Sequence, residues 1–136
     1  MIYDKAREAF CKALIDLVNN TIKVILVDAG QYTVDLATHE FLSDIPAGAR
    51  IATSAALSGK SVAAGVFDAS DLSFATVSGP TVEALVLFID TGVAGTSRLL
   101  LYTTNFTVNG GAPPFIPNGG GLDIAWDNGA NKIFKL

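Results

Sequence analysis

The sequence predicts a mainly β fold: an antiparallel β-sandwich or barrel-like domain with one short N-terminal helix. Three observations point there. The apolar residues fall in short runs, Thr21–Val27 and Ala84–Ile89 the clearest, each ending at a small residue or at Asp, Asn or Gly. Runs of that length with β-branched and aromatic content suit strands better than helices. Helical periodicity occurs in one place only, and 13 glycines and 5 prolines punctuate the rest.

The helix falls within residues 1–13. Ala6, Ala9, Phe10 and Ala13 recur at three- and four-residue spacing between Tyr3 and Lys12, and Asp4 sits where the helix dipole favours an acid. So short a helix is marginal alone and must dock on a sheet or a neighbour. Leu14-Ile15-Asp16-Leu17-Val18 either extends it or forms a strand. The Asn19-Asn20 pair, tolerant of tight-turn geometry, favours a hairpin into Thr21–Val27.

Asp28-Ala29-Gly30 is a breaker. Thr38 could cap one helical turn, His39 to Ser43, closed by Pro46 and Gly48. Ala49–Thr53 and Lys60–Ala63 read as short strands joined by a small-residue loop. Phe67–Asp71 reads as a turn leading to Leu72–Ala75, which alternates with strand period. Val82–Ile89 and Leu99–Tyr102 are apolar throughout, the mark of strands buried on both faces. Joined by the Thr91–Ser97 loop, they are the expected centre of the fold. Residues 109–121 hold two glycine runs and three prolines and read as a loop that reaches a partner. Leu122–Trp126 alternates, and Asp127-Asn128-Gly129 then predicts a hairpin into Lys132–Leu136. With no internal repeat and no linker, 1–136 reads as a single domain.

Composition narrows the function. Half the residues are hydrophobic, 16% are charged, and the mean hydropathy is +0.44. Such an excess fits a membrane protein or a subunit covered by its neighbours. The longest apolar run, Ala84–Ile89, is far short of the ~20 residues a spanning helix needs, which leaves the covered subunit. The net charge of −4 and nine scattered basic residues argue against nucleic-acid binding. The start, Met1-Ile2-Tyr3-Asp4-Lys5, lacks the pattern of a signal peptide. A lone Cys11 offers neither a disulfide framework nor a thiolate metal site, fits a reducing compartment, and is expected to pack as a small hydrophobe.

No residue set reads as catalytic, cofactor-binding or metal-ligating. His39 has Glu40 and Asp44 nearby but no nucleophile motif, so capping or hydrogen bonding is its expected role. Asp68, Asp71, Asp123 and Asp127 match no calcium-loop spacing, and turn chemistry accounts for them. Gly119-Gly120-Gly121 lacks the Lys-Ser/Thr of a phosphate loop. Trp126 and Phe134 are expected in the core.

Several stretches resemble small structural proteins of tailed bacteriophages. They are Thr21–Asp28 after the N-terminal helix, Thr38–Ile45, Gly65–Asp71, the Asp90-Thr91-Gly92 turn, and Trp126–Gly129 followed by Lys132–Leu136. In the same order they span nearly the whole chain. The resemblance implies a non-enzymatic virion protein with no catalytic residues. Its expected role is a capsid decoration or cement subunit, assembled in the bacterial host cytoplasm and bound to the major capsid protein or other virion proteins. A homo-oligomer, such as a trimer, is expected, with no nucleic-acid or membrane partner. A tail or neck component is the alternative. A second alternative is a host-glycan module using the Gly/Pro loop with Tyr32 or Phe115.

Overall fold

The computed structural model describes residues 1–136. The fold is mainly β, with three antiparallel sheets and a single short α-helix. Strands β1 (Ile22–Val27), β2 (Arg50–Thr53), β6 (Ala84–Ile89) and β7 (Leu99–Thr103) form a four-stranded sheet in the order β2-β1-β6-β7. A second sheet orders β10 (Phe134–Lys135), β4 (Val66–Asp68) and β3 (Ser61–Ala63). A third orders β5 (Leu72–Phe74), β9 (Leu122–Trp126) and β8 (Phe106–Val108). The sheets enclose one cluster of 33 buried residues, so the chain has a single core.

The centre lies where the continuous apolar runs place it. Strand β6 runs between β1 and β7, with Val24, Leu87 and Leu101 abreast across the three strands. All three are buried. No helix is long and apolar enough to cross a membrane.

Helix α1 (Asp4–Cys11) turns Ala6 and Ala9 inward. These small side chains let it lie close to the sheet. Its entry is tied to β7 by Tyr3 N–H to Leu100 O (3.2 Å) and by Tyr102 N–H to Met1 O (2.9 Å).

Four local expectations are corrected. Leu14–Val18 is neither a strand nor a helical extension. Asp16 accepts from the backbone N–H groups of Val18 and Asn19 and from the Asn19 amide, folding the segment into a turn before β1. Thr38 does not cap His39–Ser43. Asp35 accepts from the N–H groups of Ala37 and Thr38 and from the Thr38 hydroxyl, and the helical turn that follows is a short 3₁₀ segment at Leu42–Asp44.

Ala49–Thr53 and Lys60–Ala63 are strands as expected, at Arg50–Thr53 and Ser61–Ala63, and they join different sheets. Part of the expected Phe67–Asp71 turn is strand β4, which pairs with β3 across Ala64-Gly65. Both turn residues have positive φ (51° and 78°), the geometry that matches strand twist in a two-residue hairpin. The C-terminal hairpin is absent: β9 pairs with β5 and β8, whereas β10 pairs with β4. The Asp127 side chain turns back to accept from Gly129 N–H, and Lys132 adopts φ 48°, which carries the chain away from β9.

The accessible surface is 6473 Å², close to the ~6,700 Å² expected of a compact monomer of this mass. The core therefore absorbs most of the apolar excess. The remainder is not spread evenly: of the exposed large hydrophobics, Val18, Val62 and Leu136 gather on one side of the molecule.

Candidate functional site

Two side-chain groupings stand out: a hydrogen-bonded aromatic chain inside the protein, and an apolar face outside it.

The chain begins at Tyr3, just before α1. Its hydroxyl lies 2.9 Å from that of Tyr32, which lies 2.9 Å from His39 Nδ1. The backbone N–H of Asp35 also points at Nδ1, at 3.4 Å, so Nδ1 accepts and the imidazole proton sits on Nε2. Tyr32 therefore donates to His39 and accepts from Tyr3. The Tyr32 and His39 rings stack with centroids 5.4 Å apart. Burial pushes the Tyr3 hydroxyl pKa far above its usual value, and its bond to Tyr32 pushes the same way. Burial likewise raises Tyr32 and Tyr102. These hydroxyls stay protonated, and those of Tyr3 and Tyr32 act as structural donors. No serine or cysteine hydrogen-bonds to His39, so the arrangement lacks the nucleophile–base pairing of covalent catalysis.

The four aspartates are dispersed and engaged. Asp68 accepts from Ala69 N–H, Asp71 from Trp126 N–H at 3.0 Å, Asp123 from the Ser73 hydroxyl, and Asp127 from Gly129 N–H. No three His, Cys, Asp or Glu side chains come together in a metal-binding arrangement. Residues 119–121 lie in loop, with no helix opening there. Trp126 and Phe134 are buried as expected, the indole N–H donating to Ser70 O and Phe134 packing on Phe67 and Phe10. Tyr32 is buried and Phe115 half-buried, which leaves no open aromatic platform at either position. No protein-family model matches the chain, and comparison with curated proteins finds no match.

The apolar face lies where α1, the turn after it, the tip of β3 and the end of β10 converge. Two adjoining clefts of about 520 and 490 Å³ share Phe10 and Leu136. One adds Ile2, Cys11 and Lys135, the other Ile15, Val18 and Val62. Cys11 is exposed here and not packed inside as expected. Two residues beyond Ala9, it sits ~200° further round the helix, on the outward side.

A third cleft, about 400 Å³, lies at the other end of the central sheet between Glu83, Thr104 and Pro113–Pro114. Glu83 Oε2 is shielded from solvent and has no donor. Leaving a buried acceptor unmade costs on the order of 1–3 kcal/mol, more for a charged group. Nothing in the sequence marks Glu83. It follows the apolar Val82 and precedes β6, and only the folded backbone places it beneath the Gly/Pro loop.

Proposed function

We propose that this chain is a non-enzymatic structural protein of a bacteriophage virion, serving as a capsid decoration or cement subunit. The observation that carries this reading is the apolar face around Phe10, Val18, Val62 and Leu136. Apolar side chains gathered in one region of an otherwise well-packed molecule mark a surface suited to cover by another subunit. The ordered resemblance from Thr21 to Leu136 gives that cover a setting, a shell of repeated subunits in which each weak contact is multiplied. In this reading the N-terminal helix and the Gly/Pro loop, residues 109–121, lie at the subunit's contacts, and the Tyr3–Tyr32–His39 chain stiffens the body behind them.

Electron cryomicroscopy of virions from a host strain carrying the gene tests the proposal. Density for this fold at repeated positions on the head is the expected result. Density confined to the tail or neck would reassign the subunit, and virions lacking the chain would refute a structural role. Binding to host glycan through residues 109–121 by a chain absent from the head would favour a recognition module instead.

A further inference from the structure

We propose that the cleft between Glu83 and the Pro113–Pro114 wall is a binding site for a primary alkylammonium group, carried by a lysine of a neighbouring protein or by a free alkylamine. The inference goes beyond the virion reading and does not depend on it.

The first argument is the state of the carboxylate. Every other acidic side chain accepts a hydrogen bond or joins an ion pair within the chain. Glu83 does neither. No basic side chain of the molecule answers it: Lys135 stands on the apolar face, and the rest are bound to an acid or a carbonyl elsewhere. A cation for Glu83 therefore has to come from outside.

The second argument is which oxygen is left to a ligand. Oε2 is shielded from solvent and has no donor. Oε1 has no partner within the chain either, but it is not shielded, and Glu83 lines the cleft. A guanidinium binds a carboxylate best as a fork that engages both oxygens, whereas an ammonium is a compact charge that one oxygen satisfies. A carboxylate with a single open oxygen selects the ammonium.

The third argument is the walls. Glu83, Thr104, Ala112, Pro113 and Pro114 enclose about 400 Å³, within the range of small-molecule sites. Proline has no N–H, so the Pro113–Pro114 wall gives the carboxylate no donor. Its rings and the Ala112 methyl give apolar surface on which a methylene stem can lie. The exposed Thr104 hydroxyl makes no hydrogen bond within the chain and can accept a second ammonium hydrogen. The cleft is preformed. Glu83 N–H bonds to Val27 O at 3.1 Å, and Val82 and Phe115 exchange backbone bonds at 2.7 and 2.8 Å, so binding orders little that is not already ordered.

Two-dimensional amide NMR of the full chain, at neutral pH and constant ionic strength, tests this with n-butylamine as the probe and n-butylguanidine and n-butanol as comparisons. The amine is expected to give saturable shifts at the Glu83, Thr104 and Ala112 amides with a Kd in the millimolar range, the guanidine to bind a few-fold more weakly, and the alcohol to give no saturable shift. Glu83→Gln should weaken the amine by about tenfold or more without lowering the urea midpoint, because no hydrogen bond within the chain is lost. Thr104→Val, at an exposed position, should weaken it a few-fold. No saturable shift at these amides, or unchanged affinity in folded Glu83→Gln, overturns the proposal. A guanidine that binds as tightly as the amine overturns the one-oxygen selection. Should Glu83→Gln unfold, equal responses to amine and alcohol, or no loss in Thr104→Val, would overturn it instead. A capped lysine peptide that binds more tightly than putrescine assigns the group to a protein neighbour, and the reverse order assigns it to a free amine. A chain that binds none of these and still decorates heads would sink this inference and leave the virion reading intact.

Discussion

Removing the Tyr32 hydroxyl should cost more than removing that of Tyr3, although both substitutions delete one oxygen from a buried ring. Tyr32 stands mid-chain, accepting from Tyr3 and donating to His39, each at 2.9 Å. In Tyr32→Phe, the Tyr3 hydroxyl, on a residue with 0% exposure, keeps a proton and has nowhere to donate it. A stranded buried donor costs about 1–3 kcal/mol, and the lost bond to half-buried His39 adds about 0.5–1 kcal/mol because water can replace it only in part. The sum is roughly 2–4 kcal/mol. In Tyr3→Phe, Tyr32 still donates to His39 and loses only an accepted bond, about 0.5–1.5 kcal/mol. With a urea m-value of about 1–3 kcal/mol/M, the two unfolding midpoints should differ by roughly 1 M, Tyr32→Phe being the lower. Far-UV circular dichroism against urea reads this directly. Equal midpoints, or a lower one for Tyr3→Phe, would refute the donor direction assigned along the chain.

Leu87→Ala, at the fully buried crossing of β1, β6 and β7, should lose about 2–5 kcal/mol in the same urea assay. Ala64→Asn should gain about 0.5–1 kcal/mol, because Ala64 sits at φ 51° in the β3–β4 turn and asparagine tolerates that region better. Acid should destabilise the protein through its capping carboxylates. The Thr38 hydroxyl bond holds Asp35 below the usual carboxylate range, and the Lys23 ammonium does the same for Asp90. Burial pulls Asp44 upward, but the N–H groups of Phe41 and Glu40 outweigh it and the net shift is down. A carboxylate depressed in the native state binds protons more readily when unfolded. Its contribution is therefore complete above the unfolded value near 4 and lost as pH falls through the native value. Urea midpoints should hold steady down to about pH 4 and drop below it, and a flat profile there would contradict these assignments.

The sequence reveals those parts of the fold that local patterning controls. The apolar runs of β1, β6 and β7 and the alanine spacing of α1 declare themselves because each is long enough to show its period. Strands β4 and β8 go unread, β4 because the Asp68-Ala69-Ser70-Asp71 stretch that closes it reads as a turn. Asn128-Gly129 is sound turn chemistry that misleads about pairing, since a turn fixes where the chain bends and not which edge receives it. Strand β10 found its edge at β4, more than 60 positions earlier. His39 was legible as a hydrogen-bonding residue, but its partner Tyr32 and the Tyr3 beyond were not, because Tyr3 is separated from Tyr32 by 29 positions. Composition announced an apolar excess. Only the fold distinguishes the large share that fills the core from the few residues, Val18, Val62 and Leu136 among them, that stay outside.

Cys11 offers the most direct test of a covered face. It is the only cysteine, exposed in the free chain, and lies on that face with Phe10 and Leu136. Alkylation of free chain and of intact virions, quantified by mass spectrometry, should show a thiol that reacts readily in isolation and is strongly protected in the particle. Equal labelling in the two states, with the chain present in the virion, would mean that this face stays open to solvent and that nothing assembles upon it.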